Sequence, residues 1–468
     1  MPAVQVNQSG AVGVVGLWHL GSVTAACLAE AGNEVIGLDP DAAVVDELAA
    51  GRPPVSEPGL AELMLGCAGR LRFSTDPGAL SGCARAWVTF DTPVDDDDHA
   101  DVEWVLEHAV EMLAALPAHA LVVVSSQLPV GSVAELRARC ARRRGEDDLR
   151  FACVPENLRL GQALDAFRSP ERIVIGAGSE EDRRELGELL APFGGEREWM
   201  SIESAEMTKH ALNGFLATSV AYINEVAAIC EAVGADAAEV SRGLKSERRI
   251  GPRAYLAPGD AFAGGTLARD IGFLRGLAER HGLPSDVFTG VADGNAAHKQ
   301  WTERKLVELL GGGGEGSPAS AQNEHRLAGR VVAIWGLTYK PGTDTLRRSS
   351  AVELARRLVG AGARVLAHDP ALRSLPPSLA LDVELCTEPL AATTGADALV
   401  VCTPWPDYRE LTAEEICASL ANPLVIDPAG ALQGTLAGHP GLRYVRVGTP
   451  DRERVEASSG LPLSSGAR

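Results

Sequence analysis

Ala11-Val12-Gly13-Val14-Val15-Gly16-Leu17-Trp18-His19-Leu20-Gly21 opens a pattern that continues through an alanine-rich stretch, Val23 to Ala31, to Glu34-Val35-Ile36-Gly37-Leu38-Asp39-Pro40. It reads as strand, glycine turn, helix and a second strand closed by an acid, the front half of a dinucleotide-binding unit. In the usual fingerprint the first glycine makes the tight turn and the third lets helix and strand pack closely. The middle glycine lets the backbone approach a pyrophosphate, and the acid bonds the ribose 2′-hydroxyl. Gly16 and Gly21 take the first and third places, Asp39 takes the acid's, and Trp18 stands in the middle. The βαβ topology needs only the pattern, whereas an indole bears on the phosphate site.

The pattern has an echo. Arg330-Val331-Val332-Ala333-Ile334-Trp335-Gly336-Leu337 is again strand then glycine, Ser350 to Ala361 reads as a helix, and Ala363 to Pro370 closes in Asp-Pro as Leu38-Asp39-Pro40 does. Further on in each half a strand ends in Thr-Pro, at Thr92-Pro93 and at Thr403-Pro404. Strands alternating with helices imply parallel sheets covered on both faces. Between the halves, apolar residues recur at helical spacing from Met207 to Ile229 without a proline, which predicts a long helix. The fold class expected is α/β, with two Rossmann-like doubly wound parallel-sheet domains joined by a central helical domain. The boundaries read as 1–200, 201–300, a flexible glycine-rich linker region at 301–328 around Gly311 to Pro318, and 329–468. Residues after Glu456 are Ser- and Gly-rich and read as frayed.

A chain of 468 residues is too long for one core, and 46% apolar with 23% charged residues is ordinary globular composition. A net charge of −20 argues against nucleic acid or an anionic membrane surface as partner, since both select a basic patch. The first ten residues carry no signal-peptide pattern, and no uninterrupted apolar run is long enough to span a bilayer. Nine cysteines without paired spacing suit a reduced, cytoplasmic protein with neither a disulfide framework nor a metal site.

Lys209 and Asn213 lie four apart, on one face of the expected long helix. A lysine beside a substrate hydroxyl can act as base or electrostatic stabiliser, and an amide can orient an oxygen. On spacing alone, a solvated lysine next to a surface asparagine is the plainer reading. Context reverses it. Ser126-Gln127-Leu128-Pro129-Val130-Gly131, Pro155-Glu156-Asn157-Leu158-Arg159, Ala205-Glu206-Met207-Thr208-Lys209 with Asn213-Gly214-Phe215, Arg249-Ile250-Gly251 with Tyr255-Leu256, Phe262 to Asp270, and Gly336-Leu337-Thr338-Tyr339-Lys340-Pro341-Gly342-Thr343-Asp344 follow one another in order. Through these the chain resembles the UDP-glucose/GDP-mannose 6-dehydrogenases over nearly its whole length.

The resemblance implies an N-terminal domain for NAD, a C-terminal domain for the nucleotide of a nucleotide-sugar substrate, and a helical middle that forms a homodimer. The sugar would lie between the domains, its C6 hydroxyl oxidised twice to a carboxylate with a cysteine trapping the intermediate aldehyde. The residues matched to the cofactor are Gly16, Trp18, Leu20, Gly21, Asp39, Thr92 and Gln127. Those matched to substrate are Arg249 (reaching a partner subunit's site), Tyr255, Phe262, Gly264, Lys340 and Arg347. Lys209, Asn213 and Asp270 would surround the C6 oxygen, with Glu156 close by. The bland readings are a helix-capping Asp270 and a Glu156 paired with Arg159. Two departures stand out. Thr266 occupies the cysteine's position, and Asp427-Pro428-Ala429-Gly430 stands where the family has Asp-Gly-Arg. An aliphatic hydroxyl does not ionise as a thiol does, so the expectation is an NAD-dependent oxidoreductase that stops after one hydride. The alternative is a catalytically inactive nucleotide-sugar-binding paralogue or partner subunit.

Overall fold

Short, almost continuously apolar segments become the buried strands, as helices on both faces of a sheet require. The computed structural model describes residues 10–95, 100–156, 158–263, 265–311, 326–379 and 381–450. They form two compact units, 1–212 and 213–468.

In the first unit β1 (Val12–Val15), β2 (Val35–Leu38), β3 (Leu71–Ser74), β4 (Arg85–Val88), β5 (Leu121–Val124), β6 (Arg150–Cys153), β7 (Arg172–Ala177) and β8 (Glu196–Met200) make one sheet in the order β3-β2-β1-β4-β5-β6-β7-β8. The first six strands are parallel. β7 joins β6 antiparallel and β8 runs with β7, so the last two strands reverse a sheet expected to be wholly parallel. Apolar side chains pack on both faces, Leu17, Val23, Leu28 and Ile175 on one and Phe90, Leu106, Leu136 and Phe151 on the other.

In the second unit β9 (Val331–Trp335), β10 (Arg364–His368), β11 (Glu384–Leu385), β12 (Ala398–Val401), β13 (Leu424–Ile426) and β14 (Arg443–Val445) form an all-parallel sheet, β11-β10-β9-β12-β13-β14. Both orders reverse direction beside the first strand, between β1 and β4 and between β9 and β12. That is the switch point where open α/β sheets hold ligands.

The long helix is Ile202–Val233, and the division between units falls inside it rather than at its start. Its first turns are tied to the first sheet's loops, because Glu206 accepts from the backbone N–H groups of Gly131 (2.8 Å) and Val133 (2.9 Å). Its mean hydropathy reaches 1.3, enough by length and composition to cross a bilayer. Its polar side chains nevertheless bond to protein groups; His210 Nε2, for instance, donates to Leu128 O at 2.8 Å. The expected linker region begins differently from its reading: Trp301–Leu310 is a helix whose Trp301, Leu306 and Leu310 join the second unit's core. The indole of Trp301 donates to Glu231 at 2.9 Å. The glycine run beyond Gly311 and the expected frayed tail lie outside the described residues, as does Gly264.

Candidate functional site

The turn after β1 is built for glycine at two places. Gly16 has φ +90° with Phe90 against it, and a Cβ on Gly21 would lie 1.8 Å from the Gly16 carbonyl oxygen. Trp18 has φ −68°, which any residue adopts, so the turn itself does not require the fingerprint's middle glycine. Trp18 is the N-cap of the helix His19–Glu30, gives it no side-chain cap, and is 49% exposed. No acidic residue sits in that helix's first turn, and Leu20 is buried beneath it. An uncapped N-terminus of this kind favours an anion. Asp39 accepts from Leu17 N–H (2.7 Å) and Asp41 N–H (3.0 Å), and burial raises its carboxyl above the ordinary range. Thr92 and Gln127 meet, the threonine hydroxyl donating to the Gln127 carbonyl at 2.7 Å. An uncapped helix end and a carboxylate with spare acceptor capacity are groups of the kind that suit a dinucleotide's pyrophosphate and ribose hydroxyls.

The same unit holds the lysine. Lys209 is 10% exposed, so it is not a solvated surface residue. Its Nζ donates to the Glu156 carbonyl oxygen at 2.6 Å and lies 3.6 Å from the Glu156 carboxylate. That carboxylate accepts from Leu158 N–H at 2.6 Å, which places Glu156 with Lys209 rather than in the bland pairing with Arg159. Beside them the Ser126 hydroxyl is buried without a hydrogen-bond partner.

In the second unit Asn213 donates to Asp270, which is fully buried. Asp270 lies inside the helix Thr266–Arg280, whose N-cap is Gly265, so it is not a cap. Thr266 is the exposed first residue of that helix, one turn before Asp270. The preceding segment is clamped. Asn224 accepts from Gly259 N–H (3.0 Å), Asn295 bonds both N–H and C=O of Phe262 (3.0 and 2.9 Å), and His298 donates to Gly259 O (2.7 Å).

The turn after β9 leads into a segment carrying Lys340 and the exposed Arg347. Partial burial, then the neighbouring Tyr255, raises the phenol of Tyr339, which brings Tyr255 near this loop. Arg249 stands apart, 87% exposed and paired with Glu247 at 3.1 Å.

Sequence reasoning missed Glu57, Glu206, Asn295 and His298, whose partners are mostly backbone groups and leave no spacing signal. Glu57 has a faint one, an acid immediately before Pro58-Gly59.

Two doubly wound lobes, the first with an anion-ready glycine turn and a buried lysine, define a nucleotide-dependent oxidoreductase. Residues 10–194 match the NAD binding domain of the UDP-glucose/GDP-mannose dehydrogenase family, 203–297 its central domain and 333–434 its UDP binding domain. The chain belongs to that family, whose members are NAD-dependent nucleotide-sugar dehydrogenases. It is 34% identical over 462 residues to the UDP-glucose 6-dehydrogenase of Pseudomonas aeruginosa, covering 95% of this chain and 99% of that one. The enzyme of the same name from Rhizobium meliloti is 31% identical over 447 residues, 94% and 99% of the two chains. A solved UDP-glucose dehydrogenase from Pyrobaculum islandicum superimposes with a TM-score of 0.83 at 28% identity, covering 96% of this chain and all of that one.

Proposed function

We propose that this chain oxidises a CH–OH of a UDP-sugar by one hydride transfer to NAD and releases the aldehyde or ketone. The exposed Thr266 at the head of its helix carries the second half of this reading. A thiol reaches its nucleophilic anion near neutral pH, whereas an unassisted threonine hydroxyl does not, so nothing there traps the half-oxidised sugar. The nearest cysteines in sequence are Cys230, which is buried, and Cys386.

NAD, when bound, accepts the hydride. The substrate C–H breaks with its electron pair, the hydroxyl proton leaves to water, and a C=O forms. Lys209 stabilises the oxygen as that proton departs, and the Glu156 carbonyl fixes where its ammonium group sits. Asn213 shares a helix face with Lys209 by its spacing, and Asp270 fixes the amide so that its oxygen points to one ligand direction. Lys340 and Arg347 supply charge for the diphosphate. The relatives' name makes UDP-glucose the first substrate to try. Incubation with NAD should yield one NADH per sugar and a product lighter by two hydrogens. A uronic acid with two NADH would overturn the stop, and no NADH with any UDP-sugar would overturn the enzyme.

The working form we propose is a cytoplasmic homodimer. Phe215, Tyr222, Ile229 and Val233 leave an apolar stripe on the long helix, 68%, 51%, 57% and 67% exposed, the first three at heptad spacing. Arg249, 87% exposed, would reach a second copy by exchanging its surface pair with Glu247. Nine unpaired cysteines suit a reducing compartment. A monomer mass in sedimentation, or recovery outside the cytoplasmic fraction, would count against each half of this proposal.

A further inference from the structure

Glu57 is a buried carboxylate, its side chain 1% exposed, in the segment before the helix Leu60–Gly66. Three donors satisfy it, as a buried charge requires. His19 Nε2 donates to its Oε2 at 2.9 Å, Gly161 N–H to the same oxygen at 2.7 Å, and Ala163 N–H to Oε1 at 2.8 Å. The donors come from two places that matter. His19 is the first residue of the helix whose end is matched to the cofactor pyrophosphate. Gly161 and Ala163 close the loop that begins at Glu156, the residue holding Lys209. A single carboxylate therefore bonds to both segments at once.

We propose that Glu57 is a positioning residue that couples the cofactor turn to the sugar-side loop, so that each ligand sets the affinity for the other. The inference rests on the nucleotide-sugar reading above. Its physics is simple: a carboxylate shared between two backbone segments cannot follow one without pulling on the other, since releasing any donor leaves a buried polar group unpaired. A binding coupling of this kind is reciprocal by necessity.

The experiment uses the whole protein with NADH and UDP-glucose, a pair that cannot react because the cofactor is already reduced and the sugar carries no C6 carbonyl. NADH fluorescence titrations with and without saturating UDP-glucose give the coupling. In the wild type UDP-glucose should change NADH affinity by about fivefold or more. In His19→Phe, which leaves Glu57 with both backbone donors, and in Glu57→Gln, the change should shrink to within about twofold. If Glu57→Gln does not fold, His19→Phe alone decides. A merely structural His19 would lower stability and leave the coupling intact, so undiminished coupling in His19→Phe overturns the proposal. Independent binding in the wild type overturns it as well. Calorimetry showing no binding of UDP-glucose or of any other UDP-sugar would overturn the substrate reading and the coupling together, whereas binding of both ligands without mutual effect overturns the coupling alone.

Discussion

The two glycine turns are near copies in their hydrogen bonds and differ in the chain just beyond them. Gly16 and Gly336 have φ +90° and +85°, and each donates its N–H to the end of the neighbouring strand at 2.8 Å, to Leu38 O and His368 O. Leu17 N–H reaches Asp39 at 2.7 Å and Leu337 N–H reaches Asp369 at 2.8 Å. In the first lobe the helix then starts at His19; in the second it waits until Ser350, and the intervening segment carries Lys340 and Arg347. The acids diverge too. Asp369 also accepts from Thr338 N–H and hydroxyl, from the Trp405 indole and from Ala371 N–H. Four of these bonds fall on Oδ2 and leave that oxygen crowded, whereas each oxygen of Asp39 takes a single backbone bond and keeps room for a ligand. On the proposed reading, one backbone turn serves two ways of holding phosphate: helix amides approached directly, or cationic side chains on an inserted loop.

The largest expected effect separates chemistry from recognition. Lys209→Met should lower kcat by about 10²–10³ with NAD affinity preserved, because it removes charge stabilisation at the reacting oxygen. Lys340→Ala should raise KM for the nucleotide sugar and leave kcat nearly unchanged. If Lys340→Ala depresses kcat as deeply as Lys209→Met, the division of labour between the lobes is wrong.

Next come the two acids. Asp369→Asn strips acceptors from buried donors and should cost about 1–3 kcal/mol in denaturant unfolding. Asp39→Asn should cost less in stability and should weaken NAD binding more than Asp369→Asn does. Its pH signature has a definite sign. Burial raises the Asp39 carboxyl above its ordinary 3.8, so across the window from that value upward the folded state holds the proton longer. Wild-type stability relative to Asp39→Asn should therefore fall as pH rises through that window, and be independent of pH below it. A difference that grows with pH would show that the backbone donors outweigh burial.

Both turns were legible because periodicity and glycine placement are local. Lys209, Asn213 and Asp270 were singled out only through the ordered motifs around them, since an i,i+4 pair on a helix is ordinary. The reversal of β7 was not, because Arg172 to Ala177 reads the same in either direction and tertiary pairing decides it. The helix Trp301–Leu310 was hidden by the glycine run beside it, although its buried Thr302, Leu306 and Leu310 recur every four residues. Glu57 escaped because two of its three partners are backbone amides, which every residue but proline offers.

The smallest effect probes the one residue where the first turn breaks its own pattern. Trp18 sits at the helix N-cap with a negative φ and half its surface exposed, so replacing it should not disturb the fold. Glycine is tolerated at an N-cap, and Trp18→Gly should leave the unfolding free energy within about 0.5 kcal/mol of wild type. If the indole crowds the pyrophosphate, NAD affinity should rise by up to about tenfold, worth about 1.4 kcal/mol. Sugar KM should stay put, since the second lobe's loop is unaltered. An unchanged or weaker affinity would mean that the indole is part of the cofactor's seat. The two turns would then differ in a third respect, a side-chain wall in the first lobe in place of the bare backbone its glycines were expected to provide.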